Sequence, residues 1–336
     1  MSASSVRDVA LRAGVSVGTV SNVLNHPEKV SPSAVERVQR AIDELGFIRN
    51  DAARQLRNGR SRTIGMVVLD VRNPFFTDLA RGAEDEAAGS GLTVTLGNSD
   101  ENPAREATYL DLFEQQRVYG VVISAYADIT ERLTRLKQRG IPAVLVDRSS
   151  PDSAFSSVAV DDLAGGRLAV EHLISLGGRR LAFVGGPMGI RQVADRLEGA
   201  RAAVAAHPDV SLEVIEIEAL SVLAGRAAGA DIAGRASGAR PDAIFAANDL
   251  VSMGLLQAFA MQGANVAVPG KIALIGYDDI DFASAAVVPL SSIRQPSALI
   301  GKTAVEILLA EAQDPAAAPR HVVFQPELVV RASTAG

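Results

Sequence analysis

The chain has 336 residues and a mass of 35.1 kDa, enough for about two domains and one smaller unit. Hydrophobic residues at 48% and charged residues at 21% exclude a disordered chain, and the lack of Cys excludes disulfides, thiolate catalysis and Cys-ligated zinc. The net charge of −6 is uneven: residues 1–62 hold ten Lys/Arg against six acids, the remainder 23 against 33, so a polyanion partner is expected for the head alone.

Val6, Val9, Ala10 and Ala13 share one helical face, and Gly14 is placed to end that helix in a left-handed cap. Ser16 then reads as the N-cap of a second helix over 17–25, with Val20, Val23 and Leu24 inward and Pro27 closing it. Ser31-Pro32 opens a third helix, whose Val35, Val38, Ile42 and Leu45 keep helical spacing up to Gly46. Two short helices joined at a glycine and covered by a third predict a helix-turn-helix head over 1–49. Residues 50–58, NDAARQLRN, fit one more short helix with little to bury, and 59–62 a linker, so 50–62 reads as a hinge.

From residue 63 the pattern changes. Apolar runs at 64–69, 92–96, 118–123, 143–146, 157–160, 181–184, 243–246 and 272–275 alternate with helical stretches at 76–88, 104–115, 131–139, 162–176, 191–206, 222–236, 249–261 and 296–312. This alternation predicts an α/β body over 63–336, with doubly wound parallel sheets in two lobes. Ligands in this architecture sit beyond the carboxyl ends of the strands. Asp70, Ser124, Asp147, Asp161, Gly185, Asn248 and Asp278 are those ends, and they suit a hydrophilic small molecule.

Catalytic signatures are missing. GGPMG at 185–189 is too irregular for a dinucleotide fingerprint, there is no Walker A loop, and His26, His172, His207 and His321 lack metal-binding spacing. His172 reads as structural, and the acidic run Asp278, Asp279, Asp281 as a solvated loop rather than a metal site. No enzyme activity, metal or cofactor is expected. No apolar run approaches about 18 residues and the first twelve lack a secretory apolar stretch, so a cytoplasmic protein without a membrane partner is expected.

Residues 6–68 resemble the lactose/galactose repressor (LacI/GalR) family of bacterial transcription regulators. DVA, AGVS, TVS, VLN, VS, ELGF, ARxL and SxxIG occur in order at the family's spacing. NPFF (73–76), VDR (146–148), VDD (160–162), ANDLVSMG (247–254) and IGYDD (275–279) resemble the family's effector domain and its periplasmic sugar-binding relatives. The resemblance implies a periplasmic-binding-protein-like body, its first lobe about 63–161 and 292–322, its second about 162–291 and 323–336.

It also implies roles. The second helix would enter the major groove of a pseudo-palindromic double-stranded DNA operator bound by a homodimer. Asn22 would contact adenine and Val17 a thymine methyl. Gly18 departs from relatives with a long polar side chain there. Ser16, Thr19, Ser21 and Asn25 would hold phosphates. Arg54 and Leu56 lie in the hinge, where Leu56 would wedge into the minor groove, a role compatible with a hinge–hinge contact in the dimer. In the cleft, Asn73 would bind a hydroxyl and Phe75 and Phe76 would sandwich a sugar ring. Asp147 and Arg148 would grip vicinal hydroxyls, or else form an ion pair bridging the lobes. Arg196, Asn248, Asp278 and Gln295 would be further polar ligands. Leu220 stands where relatives often place an aromatic ring, which favours a ribose-like sugar or polyol over a purine. The chain ends RASTAG without a heptad tail, so a dimer is expected rather than a tetramer. A sugar-binding transport protein and an enzyme on a doubly wound fold are the competing functions; neither uses the basic head.

Overall fold

The computed structural model describes residues 4–47, 61–148, 154–261 and 266–335. The chain divides into two units, residues 1–60 and 61–336. The helix expected over 50–58, with Arg54 and Leu56, lies outside the described residues.

In the first unit, α1 (Val6–Ala13) ends at Gly14, whose φ of 63° is the left-handed conformation that a side chain disfavours. Ser16 caps α2 (Val17–Asn25), and Pro32 is the first residue of α3 (Pro32–Leu45). Val9, Ala10, Ala13, Val20, Val23, Val38, Ala41 and Phe47 form the core, with Val35, Ile42 and Leu45 packed at its margin.

In the second unit, the first lobe starts with β1 (Thr63–Val68), α4 (Pro74–Gly89), β2 (Thr93–Asn98), α5 (Pro103–Gln115), β3 (Gly120–Ile123), α6 (Thr130–Gln138), β4 (Ala143–Val146) and β5 (Ser157–Val160). The second lobe follows with α7 (Asp162–Ser175), β6 (Arg180–Gly185), α8 (Arg191–Ala205), β7 (Ser211–Glu216), α9 (Val222–Gly234), β8 (Ala243–Ala246), α10 (Asp249–Met261), β9 (Ala273–Asp278), α11 (Asp281–Ala285) and β10 (Ser291–Arg294). The chain returns to the first lobe as α12 (Ser297–Gln313) and β11 (His321–Phe324), then leaves it as β12 (Glu327–Val329). The sheets run β11-β5-β4-β3-β1-β2 and β12-β10-β9-β8-β6-β7. Their paired strands are parallel except β12, which runs antiparallel to β10.

The sheets shift the expected lobe boundaries. β10 belongs to the second sheet, so the return crossover follows Arg294 rather than preceding residue 292. β11 belongs to the first sheet, so the last crossover follows Phe324 rather than residue 322. The lobes therefore exchange chain three times.

One apolar core spans both lobes, running from Phe75, Phe76, Leu79 and Ile300 to Ile190, Val193, Leu197 and Tyr277. Separate cores fill the outer face of each sheet. Gly166 of α7 lies against α8, where a Cβ would collide with the Arg196 carbonyl oxygen. That close approach brings the Arg196 side chain to the cleft.

Candidate functional site

In the first unit, the outer side of α2 carries Val17, Gly18 and Asn22, all exposed, while Val20 and Val23 face the core. The hydroxyl of Ser16 accepts from the Thr19 backbone N–H at 3.0 Å and lies 2.9 Å from the Thr19 hydroxyl. Asn25 Nδ2 donates to the Ser21 carbonyl at 2.7 Å. These polar residues fix the helix start and end around a face that carries an amide and an apolar side chain, the pair of chemistries that reads adenine and thymine edges.

In the second unit, a cleft of about 450 Å³, open to solvent, lies between the lobes. Asn73, Phe75, Phe76, Asp147, Arg196, Asn248 and Asp278 line it, as do Asp70, Glu101, Ile190, Gln192, Val193 and Leu220. The first lobe supplies Asn73 as the N-cap of α4, its Oδ1 accepting from Phe75 N–H at 3.1 Å. Asp147 and Asp278 follow or end β4 and β9 with φ of 60° and 100°, left-handed backbone that turns each carboxyl out of its strand direction.

Arg196 organises the second lobe. Its Nε donates to Asp162 Oδ1 at 2.8 Å and its Nη1 to the Ala247 carbonyl at 2.8 Å. Nη2 lies 3.8 Å from Asp278 Oδ1, and the guanidinium carbon sits 3.7 Å from the centre of the Tyr277 ring. Asp278 Oδ1 accepts from Gln295 Nε2 at 2.8 Å, and Oδ2 from Asn73 Nδ2 at 2.9 Å. Asp147 Oδ2 accepts from Gln192 Nε2 at 2.7 Å and from the Ser124 hydroxyl at 3.2 Å. Among the described residues, the buried atoms without a hydrogen-bond partner include Asp147 Oδ1, Asn248 Nδ2 and Gln295 Oε1.

Burial sets the electrostatics. It pushes the Asp147 carboxyl up to about 8, with repulsion from Asp162 adding to it and attraction by Arg196 opposing it. Burial also raises Asp162 and Asp278, and Arg196 pulls both back. Asp249, beside the lining, is raised by burial and by Asp278; it accepts from the Ser292 hydroxyl at 2.7 Å and from Ile280 N–H at 2.9 Å, and so braces β9 and β10.

The geometry changes several expectations. Phe75 and Phe76 meet edge to face, ring centres 5.0 Å apart at 73°, on one lobe. They form a single apolar wall opposite Ile190, Val193 and Leu220, not two halves of a sandwich. Arg148 is not among the residues that line the cleft; beyond the turn at Asp147 its Nη1 reaches the Ala127 carbonyl at 3.4 Å, and among the described residues it makes no ion pair with Asp147 or across the lobes. Gln295 acts one step back, through Asp278. Of the expected strand ends, Ser124 supports Asp147, Asp161 caps α7, and Gly185 packs against Ala247. The acidic run is not a solvated loop: Asp278 is in the cleft, and Asp279 is buried between Arg294 at 2.8 Å and Arg331 at 2.6 Å. His172 pairs with the Thr334 hydroxyl at 2.9 Å, a structural contact.

Sequence reasoning missed Gln192 and the partners Asp162 and Tyr277. An isolated amide in a helix's first turn carries no motif. Asp162 had a visible signal in the VDD run.

Residues 5–50 match the bacterial regulatory proteins of the lacI family, and residues 170–334 match a periplasmic binding protein-like domain. A transcriptional repressor named PurR from Photobacterium profundum is 34% identical over 98% of both chains. The chain belongs to the LacI family of bacterial regulatory proteins. Another relative in this family, the ribose operon repressor of Bacillus subtilis, is 35% identical over 90% of both chains. Among solved LacI-family structures, a regulator from Enterococcus faecium with bound ribose is 30% identical with a TM-score of 0.72, covering 81% of this chain and 98% of that one. The lac repressor dimer bound to operator and an anti-inducer is 27% identical with a TM-score of 0.84, each chain covered fully. No helix among the described residues is long and apolar enough to cross a membrane.

Proposed function

We propose that this LacI-family chain is a transcriptional repressor that binds a pseudo-palindromic operator as a homodimer and takes a small hydroxyl-rich molecule, a ribose-like sugar or polyol, between its lobes. The cleft carries this reading through one observation. Asp147 Oδ1 and Asn248 Nδ2, one from each lobe, are buried, face a lined cavity and have no partner. A buried polar atom left unpaired costs about 1–3 kcal/mol, and a ligand with spaced hydroxyls satisfies both. Phe75 and Phe76 cover an apolar ring face. The ribose named with one relative and one solved neighbour supports the same class.

The relative named PurR favours a purine as the second reading. Leu220 weighs against it, since it offers no ring for stacking. Calorimetry with pentoses, hexoses and purines decides. A pentose is expected to bind wild type, and Asp278→Ala to lose binding and the operator response while still holding operator, because it removes the acceptor shared by Asn73 and Gln295. A purine that binds while every sugar fails overturns the reading.

On DNA, Asn22 and Val17 read bases, Ser16, Thr19, Ser21 and Asn25 hold backbone, and Arg54 and Leu56 act from the hinge at the minor groove. Gly18 presents no side chain to a base. Exposed apolar side chains support a second copy: Leu223, Phe282 and Val287 are 67%, 57% and 97% exposed on elements that cover one face of the second sheet. Asn22→Ala is expected to relax preference at one base pair per half-site by about 1–3 kcal/mol. Selection from random DNA checks this, and an unchanged motif refutes the base contact.

A further inference from the structure

Two side-chain hydrogen bonds cross the cleft, and they are related by the internal symmetry of the fold. Asn73 starts α4, the helix after β1; Gln192 lies in the first turn of α8, the helix after β6. β1 and β6 hold the same place in their sheets, fifth in each order, and β4 and β9 hold the third place. Asn73 of the first lobe donates to Asp278 at the end of β9 in the second, at 2.9 Å. Gln192 of the second lobe donates to Asp147 just past β4 in the first, at 2.7 Å. Each amide thus reaches the carboxyl that stands, in the other lobe, at the equivalent strand end. All four residues are buried, at 8%, 4%, 6% and 4% exposure for Asn73, Gln192, Asp278 and Asp147. Each carboxyl is held toward the opposite lobe by left-handed backbone.

We propose that Asn73–Asp278 and Gln192–Asp147 form a reciprocal latch that holds the two lobes together by the cleft's own carboxyls, before any effector enters. The latch makes Gln192 a positioning residue: it presents Asp147 with Oδ2 occupied and Oδ1 facing the cleft. Leu, Val or Ala at 192 has no N–H for this bond, and Asn is one methylene too short to span it. Because each bond joins the lobes, removing one acts on the lobe equilibrium as well as on the site. An effector then shifts that equilibrium only through the difference between its affinities for the latched and unlatched arrangements.

The test needs no effector, so its outcome is separate from the sugar reading. The chain has no Cys, so spin labels can be placed at Gln138→Cys on α6 and Glu198→Cys on α8, both exposed, one in each lobe. In the full-length protein, pulsed electron–electron resonance is expected to give one dominant short distance. Gln192→Leu, which keeps volume and apolar packing, is expected to lower the ratio of short to long distances about five- to tenfold, the effect of one lost hydrogen bond. Gln192→Asn keeps the amide and is expected to do the same, and it decides the question should the Leu variant fold poorly. Wild-type distributions in both variants overturn the latch, and so does a wild-type protein that shows the short distance only after ligand is added.

Discussion

Arg196→Met is expected to lower stability by about 3–5 kcal/mol and to abolish the effector response, the largest loss from a single cleft substitution. The guanidinium is 5% exposed and serves four partners: Asp162, the Ala247 carbonyl, Asp278 and the Tyr277 ring. Methionine fills much of the volume but takes the Arg196 donor from Asp162 and from the Ala247 carbonyl, and the nearby cation from Asp278. Both carboxyls are already raised by burial, and Arg196 is what pulls them back. Without it they take up protons, which removes the charge but not the missing hydrogen bonds. Arg196→Lys keeps a cation but not the planar fork, so it can satisfy Asp162 or the Ala247 carbonyl and not both at their present geometry. Its loss should fall between wild type and Met. Urea unfolding followed by circular dichroism measures the order. A Met variant with the wild-type midpoint would show that the cluster contributes nothing net to the fold.

The central strands were legible because burial on both faces leaves continuous apolar runs, as in Val121–Ile123 and Ala143–Val146. The strands that sequence reasoning missed fail that test for two reasons. β7, SLEVIE, is an edge strand with its side chains mostly exposed, so it has no apolar run. β10, SSIR, is buried but polar: Ser291 and Ser292 are fully covered because the Arg331 carbonyl, the Thr334 hydroxyl and Asp249 satisfy their hydroxyls. Those partners lie about 40 residues away on either side, beyond any local pattern. The same invisibility displaced the first of those lobe boundaries, since β10 marks the return crossover.

The cleft was legible where a residue sits at a strand end or in a family motif, as Asn73, Asp147, Asn248 and Asp278 do. Adjacency in sequence misled at Arg148, because the left-handed turn at Asp147 separates two neighbours that a motif reads as a pair. Adjacency also misled at Phe75 and Phe76. Consecutive residues at a helix start stay on one lobe, so no arrangement of that helix could set them on opposite faces of a ring. The opposing wall comes from α8 and from the segment before α9, and no spacing rule links those to residue 75.

Asp147 is expected to make stability fall as pH rises to about 8 and effector affinity fall above about 8. An unfolded Asp ionises near about 3.9, whereas in the fold burial, then Asp162, hold this carboxyl up to about 8. Between those values the folded protein carries the extra proton. The contribution of that proton is fully present below the unfolded value and is lost progressively as pH rises to the folded one, with a slope of up to about 1.4 kcal/mol per pH unit, and the stability curve flattens above about pH 8. The location of the proton follows from the hydrogen bonds. Oδ2 accepts from Gln192 and Ser124, so the proton belongs on Oδ1, the oxygen without a partner. At neutral pH the carboxyl is therefore a donor into the cleft, able to meet a ring or hydroxyl oxygen. Above about pH 8 it becomes an anion facing Asp278, and a ligand bound through that donor should weaken by up to about tenfold per unit. Asp147→Asn reproduces the neutral acid, with an N–H2 at the Oδ1 position and a carbonyl for Gln192 and Ser124. It should keep effector binding, lose the pH dependence and become the more stable protein at pH 9. Calorimetry and urea unfolding from pH 6 to 9.5 on both proteins read this out. A flat wild-type profile, or an Asn variant that no longer binds, would place the proton elsewhere.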